Sequence, residues 1–118
     1  GRVVVVASVA SKQGAPYIAA YCAAKHGVLG LVRAAAAEYQ NTGVTINAIC
    51  PGYVDTPMID KNVEKIVQQT GRSAEEVRAN MAAAQGRLLT SQEVSDAVMD
   101  LINSELTGAS PVLPEGMV

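Results

Sequence analysis

The chain has no tryptophan and no phenylalanine; four tyrosines are the whole aromatic complement of its 118 residues. Any core must therefore be assembled from Ala, Val, Ile, Leu and Met. Two cysteines, Cys22 and Cys50, are too few for a disulfide scaffold and lack metal-ligand spacing. A single histidine, His26, adds no zinc site, so no metal is expected. Basic charge is scarce: 9 Lys and Arg stand against 11 Asp and Glu, for a net charge of -2. No basic surface is available to neutralise a run of phosphates, which argues against nucleic acid as a partner. The uncharged stretch of residues 13–24 is broken by Gly14 and Pro16 and is too short to span a bilayer. No membrane partner is expected, and with no leader pattern at the first residues a cytoplasmic location is expected.

What remains is a chain that buries a core, with 49% hydrophobic and 17% charged residues, which excludes disorder. The length allows one compact domain over residues 1–118. Val3–Ala7 is a continuous apolar run with four β-branched valines, the signature of a strand covered on both faces in a parallel sheet. A chain that opens inside such a strand is expected to have lost what precedes it. Small polar residues follow to Pro16. Residues 17–40, rich in Ala, Leu and Val, predict a long helix, apolar on most sides and therefore central or an oligomer interface. Its small residues Ala23, Ala24, Gly27, Gly30 and Ala34 would admit another helix closely, and Gly43 is the expected left-handed residue just past its end. Val44–Ile49 predicts a second strand, stopped by Cys50-Pro51-Gly52. Residues 58–86 predict two helical pieces broken at Thr70-Gly71, the second capped by Ser73 and Glu76. Another helix opens at Thr90/Ser91 and runs to about Asn103, and Pro111–Leu113 predicts a short last strand. This alternation is that of an α/β sheet, in which ligands sit beyond the carboxyl ends of the strands. Here those ends are Ser8 and Pro51-Gly52.

Ser8 precedes Tyr21 by thirteen positions, and Lys25 follows Tyr21 by four, on the same helix face one turn on. A hydroxyl, a phenol and an ammonium can thus converge at one strand end. A free phenol, with a pKa of about 10, exchanges protons poorly near neutrality. A neighbouring cation favours the phenolate. Tyr21 could then give a proton to a carbonyl oxygen or take one from an alcohol, with Ser8 hydrogen-bonding the same oxygen. The implied chemistry is carbonyl–alcohol interconversion, and the hydride must come from a cofactor.

These residues resemble the short-chain dehydrogenase/reductase family, whose signature is a Ser followed by Tyr-x-x-x-Lys. The resemblance extends through Val4-Val5-Val6-Ala7-Ser8, Lys25-His26-Gly27-Val28, Thr45–Ile49 and Cys50–Met58, and so covers the chain from Val3 to about Gly108. It implies that Tyr21 is the acid/base, that Lys25 lowers its pKa and holds the nicotinamide ribose, and that Ser8 orients the substrate oxygen. It implies Pro51 and Gly52 as the nicotinamide floor, with Val54 and Thr56 at its carboxamide. Beside Ser8, the candidate substrate contacts are Gln13, Tyr17 and Tyr53. Tyr17 has Tyr21, not a base, at its +4 position and is expected to wall the pocket. Residues 58–86 would be a substrate lid. The implied cofactor is NAD or NADP, the implied substrate a small carbonyl or alcohol, of 3-oxoacyl, 3-hydroxyacyl or polyketide type. Helix 17–40 would pack against its copy in a homo-oligomer.

The departures from the family are equally specific. No G-x-x-x-G-x-G pyrophosphate loop occurs in the sequence. The expected architecture is thus the C-terminal half of a Rossmann-type parallel sheet, without the nucleotide-binding half. The close after Thr107-Gly108 also departs from the family pattern and leaves the last strand open. An alternative function follows: a non-catalytic fragment or assembly subunit that cannot hold the cofactor alone. His26, Cys22 and Cys50 read as structural, and Lys61, Lys65, Arg72 and Arg78 as a solvated face.

Overall fold

In a computed structural model describing residues 1–116, the valine run forms strand β1 (Arg2–Val6). Its branched side chains fit a pleated surface well. Strand β2 (Thr45–Pro51) pairs with β1 in parallel, with Val3 opposite Ile46 and Val5 opposite Ala48. Strand β3 (Val112–Leu113) pairs with the other edge of β2, in the order β1-β2-β3. All seven residues of the central strand β2 are buried. β1 is an edge strand with exposed Arg2, Val3 and Val6, so the expected cover on both faces is not supplied within the described residues.

Helix α1 (Ala19–Glu38) joins β1 to β2 and buries Cys22, Leu29, Val32 and Ala36 along one stripe. Leu29, Val32 and Ala36 pack on Ala7, Ile46, Ala48, Cys50 and Val112 to form the main core. The rest of α1 faces outward; Leu31 is 70% exposed. A side chain added at Gly27 or Gly30 would meet nothing within 4 Å, so the small-residue face has no partner helix among the described residues. Gly43 is left-handed (φ 84), but it is not the residue that ends the helix. α1 closes at Tyr39, whose N–H still bonds the Ala35 carbonyl, and a turn containing Asn41 (φ 62) intervenes.

β2 runs two residues further than its composition suggests. Cys50 N–H donates to Pro111 O and Gly52 N–H to Leu113 O, both at 2.8 Å, on the β3 side. Alternation turns the nitrogen of Pro51 to the other side, where β1 has already given way to the Ser8 turn, so the proline costs no ladder bond. The last strand is therefore present, and Asn47 secures its approach. Its fully buried amide donates to Leu106 O (2.8 Å) and accepts from Ala109 N–H (2.9 Å).

Helices α2 (Pro57–Thr70) and α3 (Ala74–Gln85) form a pair over a second, smaller core of Ile59, Val63, Val77 and Met81. Pro57 opens α2, where its missing N–H costs nothing. Gly71 (φ 75) ends it, and Ser73 Oγ caps α3 by accepting from Glu76 N–H. Helix α4 (Ser91–Ile102) opens on a full capping box of Thr90 and Glu93. Arg87 reinforces it with two bonds to the Glu93 carboxylate, at 2.7 and 2.5 Å. α4 packs on β1 and β2. Among the described residues no helix is long and apolar enough to cross a membrane.

Candidate functional site

The carboxyl ends of β1 and β2 carry the residues singled out by their chemistry. β1 ends at Val6, and Ala7 N–H makes the last bond, to Ile49 O at 2.8 Å. Ser8 follows in extended conformation (φ -161) and caps a short 3-10 turn, Val9–Ser11. Its Oγ accepts from Ala10 N–H at 3.1 Å, and its own N–H donates to Ser11 Oγ at 3.3 Å. A hydroxyl that is already an acceptor keeps its hydrogen to donate. The start of α1 packs against this turn, which brings Tyr21 to the same end of the sheet.

Tyr21 and Lys25 are together: the Lys25 ammonium lies 5.7 Å from the Tyr21 ring centroid, within cation–π range. Tyr21 is 45% exposed. Among the described residues Lys25 enters no ion pair, which leaves its ammonium free for a ligand. His26 is engaged elsewhere, its Nδ1 2.8 Å from Cys22 O.

The floor at the end of β2 is tightly held. Pro51 is buried and Gly52 half-buried. Beneath them the Cys50 thiol is fully buried, and burial pushes it up from its usual range, against smaller opposing effects of Lys12, the Ser8 backbone and Arg33. Lys12 donates to Ser110 O at 2.6 Å and so ties the Ser8 turn to the segment before β3. Beyond Gly52, Val54 forms a parallel bridge with Leu89: Leu89 N–H donates to Tyr53 O (3.0 Å) and Asp55 N–H to Leu89 O (2.8 Å). In a parallel bridge of this kind the N–H and C=O of the middle residue point away from the partner, so those of Val54 face the open side. Thr56 is the residue before α2, and its hydroxyl reaches Val54 O at 3.4 Å. This donor and acceptor set, a main-chain amide pair with a hydroxyl beside it, matches a carboxamide, and the Lys25 ammonium matches a diol. Nothing in the sequence matches a pyrophosphate.

Gln13 is exposed, and Tyr17 (φ 70) stands 103% exposed before α1. Tyr53 instead lines a cavity of about 230 Å³ between α2 and α3, with Ile66, Arg72, Val77, Asn80, Met81 and Ala84. Two cations expected on a solvated face have specific work there. Arg78 on α3 pairs with Asp55 (3.4 Å) and Asp60, and Arg72 lines the cavity. Gln85 holds the main chain of Tyr53, accepting from its N–H at 2.7 Å and donating to its carbonyl at 2.9 Å. Sequence reasoning missed Lys12, Asn47, Arg78 and Gln85. Asn47 carried a signal, since a polar amide inside an apolar strand must find buried partners. Gln85 carried none, because its partner lies 32 positions away. Among the described residues no group of three or more His, Cys, Asp or Glu could hold a metal.

Comparison with known proteins accounts for the arrangement. A sequence model described as short chain dehydrogenase matches residues 1–67. A D-beta-hydroxybutyrate dehydrogenase of Cupriavidus necator is 37% identical over 108 residues, 89% of this chain and 42% of the relative. A 3beta-hydroxysteroid dehydrogenase of Mediterraneibacter gnavus is 40% identical over 115 residues, 96% of this chain and 35% of the relative. A crystal structure of a variant actinorhodin polyketide ketoreductase with NADPH superposes with a TM-score of 0.91 at 36% identity, covering 99% of this chain and 47% of that one. The chain spans under half the length of the curated relatives it matches. Its sheet and helices correspond to about half of a Rossmann-fold neighbour, and with these likenesses the chain belongs to the short chain dehydrogenase family.

Proposed function

We propose that this chain carries the acid/base and nicotinamide-facing part of an NAD(P)-dependent oxidoreductase that interconverts a ketone and a secondary alcohol. The observation that carries the reading is the Lys25 ammonium set 5.7 Å from the ring of an exposed Tyr21, at the strand end where Ser8 keeps a hydroxyl hydrogen to donate. When bound, the nicotinamide supplies the hydride. Tyr21 gives its phenol proton to the carbonyl oxygen in reduction and takes it back in oxidation. Ser8 donates a hydrogen bond to the same oxygen and steadies the charge that develops there. Lys25 adds a fixed positive charge beside the phenol and a donor for a ribose diol. Pro51 and Gly52 form the floor, while Val54 and Thr56 offer the groups a carboxamide requires. Gln13, Tyr17 and Tyr53 are the proposed substrate contacts. The actinorhodin ketoreductase and hydroxybutyrate dehydrogenase likenesses support a 3-oxoacyl, 3-hydroxyacyl or polyketide-type substrate. The outward face of α1 is proposed to meet a second copy.

A second reading is favoured by the open edge of β1 and the absence of a pyrophosphate loop from the sequence. In it the chain is an assembly subunit that does not hold cofactor by itself. Titration with NADH and NADPH, followed by nicotinamide fluorescence, decides between the two. Micromolar binding supports the oxidoreductase reading for the chain alone; no binding supports the second. Joined to a complementary half that restores turnover, Tyr21→Phe should lower kcat by about 10²–10⁴-fold with cofactor affinity nearly unchanged. Normal turnover of Tyr21→Phe would overturn the assignment.

A further inference from the structure

We infer that Gln85 is a positioning residue whose side-chain amide takes the place of a neighbouring strand and fixes Tyr53, and through it the stretch from Gly52 to Thr56. The consequence for cofactor rests on the reading of that stretch as the nicotinamide floor; the positioning itself does not.

Three sets of bonds hold this stretch. Gly52 N–H is anchored to Leu113 O at 2.8 Å, and Asp55 N–H to Leu89 O at 2.8 Å. Between them, Tyr53 N–H meets no strand. It donates to Gln85 Oε1 at 2.7 Å, and Tyr53 O accepts from Gln85 Nε2 at 2.9 Å in addition to Leu89 N–H. The second Nε2 hydrogen goes to Arg87 O at 2.8 Å. Every donor of the amide is thereby used. Its orientation is fixed by chemistry as well, because Tyr53 N–H requires the oxygen and two carbonyls require the nitrogen. A primary amide presents an acceptor and a donor side by side, as a strand's main chain does, and no other uncharged side chain of this reach does so.

Gln85 is the last residue of α3, and Gly86 (φ 94) turns the chain immediately after it. The clamp therefore joins α3 to the floor, and Arg78 on the same helix adds the ion pair to Asp55. Tyr53 belongs to both sides of the joint: its main chain is in the clamp and its side chain lines the cavity between α2 and α3. With the clamp released, Tyr53 N–H turns to water and the chain can pivot at Gly52, next to the open groups of Val54.

The test is residue-resolved amide exchange on the full chain, with Gln85→Met, which keeps the reach without polar atoms, and Gln85→Glu, which keeps the acceptor. In Gln85→Met the Tyr53 amide should exchange at least about tenfold faster while Ile49 and Cys50 in β2 keep their protection. In Gln85→Glu the acceptor for Tyr53 N–H is kept but an oxygen is set against the Tyr53 and Arg87 carbonyls, so the Tyr53 amide should exchange faster than in the parent and slower than in Gln85→Met. Unchanged Tyr53 exchange in Gln85→Met overturns the inference. If β2 protection is lost in that variant, Gln85→Asn, one methylene too short to span the groups, makes the same comparison. In a parallel NADPH titration followed at the Val54 and Thr56 amides, Gln85→Met should bind about tenfold more weakly. If the parent does not bind NADPH, the reading in which the chain does not hold cofactor by itself is supported, and the exchange measurement still decides the role of Gln85.

Discussion

The surface that β1 and α1 leave open should drive this chain to associate, and its size can be worked out. The solvent-accessible surface is 7192 Å², against about 6,100 Å² for a compact monomer of this mass. The radius of gyration is 15.7 Å, against about 13.5 Å for a domain of this length. The excess of about 1,100 Å² exceeds the roughly 800 Å² that each partner contributes to a stable interface of standard size. An apolar groove of about 300 Å³, lined by Val3, Val5, Val28, Leu31, Val32, Ala35 and Ile46, lies where the β1 edge meets the flank of α1. Leu31 is 70% and Val3 44% exposed. Covering the exposed part of Leu31 is worth about 1.5 kcal/mol. In an isologous pair each substitution counts twice. Leu31→Glu should therefore weaken self-association by about 3 kcal/mol, or about a hundredfold in Kd, before any charge desolvation is added. Sedimentation equilibrium at about 1–100 μM reads this directly: the parent should be an oligomer and Leu31→Glu should shift towards monomer. A parent chain that stays monomeric throughout, with a cooperative thermal melt, would refute the reasoning.

Two further outcomes follow from single side chains. Asn47→Leu deletes two hydrogen bonds from a fully buried amide and strands the Leu106 carbonyl and the Ala109 N–H. It should cost about 2–4 kcal/mol and lower the urea midpoint by about 1–2 M; a loss well under 1 kcal/mol would mean that water or a shifted loop satisfies those groups. The bonds from Arg87, first, and from Thr90 hold the Glu93 carboxyl down from 4.5 to about 2. A depressed acid stabilises the fold above its unfolded pKa and loses that contribution as pH falls through its folded value. The thermal stability lead of the parent over Glu93→Gln should thus be present at pH 6 and vanish between about pH 4.5 and 2; a pH-independent difference would count against the Arg87–Glu93 pairing as its source.

Local signals made most of the fold legible. The valine run, the Ala-rich helix, the Thr90–Glu93 box and the Gly71 stop each act within a few residues, so composition and spacing suffice to find them. The same holds for Ser8, Tyr21 and Lys25, which sit within eighteen positions of one another. The errors have long-range causes. β2 runs through Pro51 because β3 pairs with Cys50 and Gly52 and because β1 has ended beside the proline. Neither fact exists at the level of residues 45–52. Gly43 is left-handed as its composition suggests, but it stands four residues past Tyr39 rather than directly after the helix, because a turn through Asn41 intervenes and Thr42 Oγ1 donates to Tyr39 O at 2.6 Å. Arg78 read as a solvated cation because Asp55 lies 23 positions earlier and meets it across two elements.

This division between local and distant contacts also separates the two halves of the proposed chemistry. The proposed acid/base group is local in sequence: one strand end, one turn and the start of one helix carry Ser8, Tyr21 and Lys25 within eighteen positions. The floor is the opposite. Gly52 is held by Leu113, Tyr53 by Gln85 and Leu89, and the Ser8 turn by Lys12 reaching Ser110, 98 positions away. Each of those partners lies after residue 84. A chain cut after α2 would keep the residues proposed to react and lose the surface proposed to face them. The α3 helix and the segment leading to β3 are therefore part of the proposed site as much as Tyr21 is, although none of their residues is a candidate for the proton transfer itself.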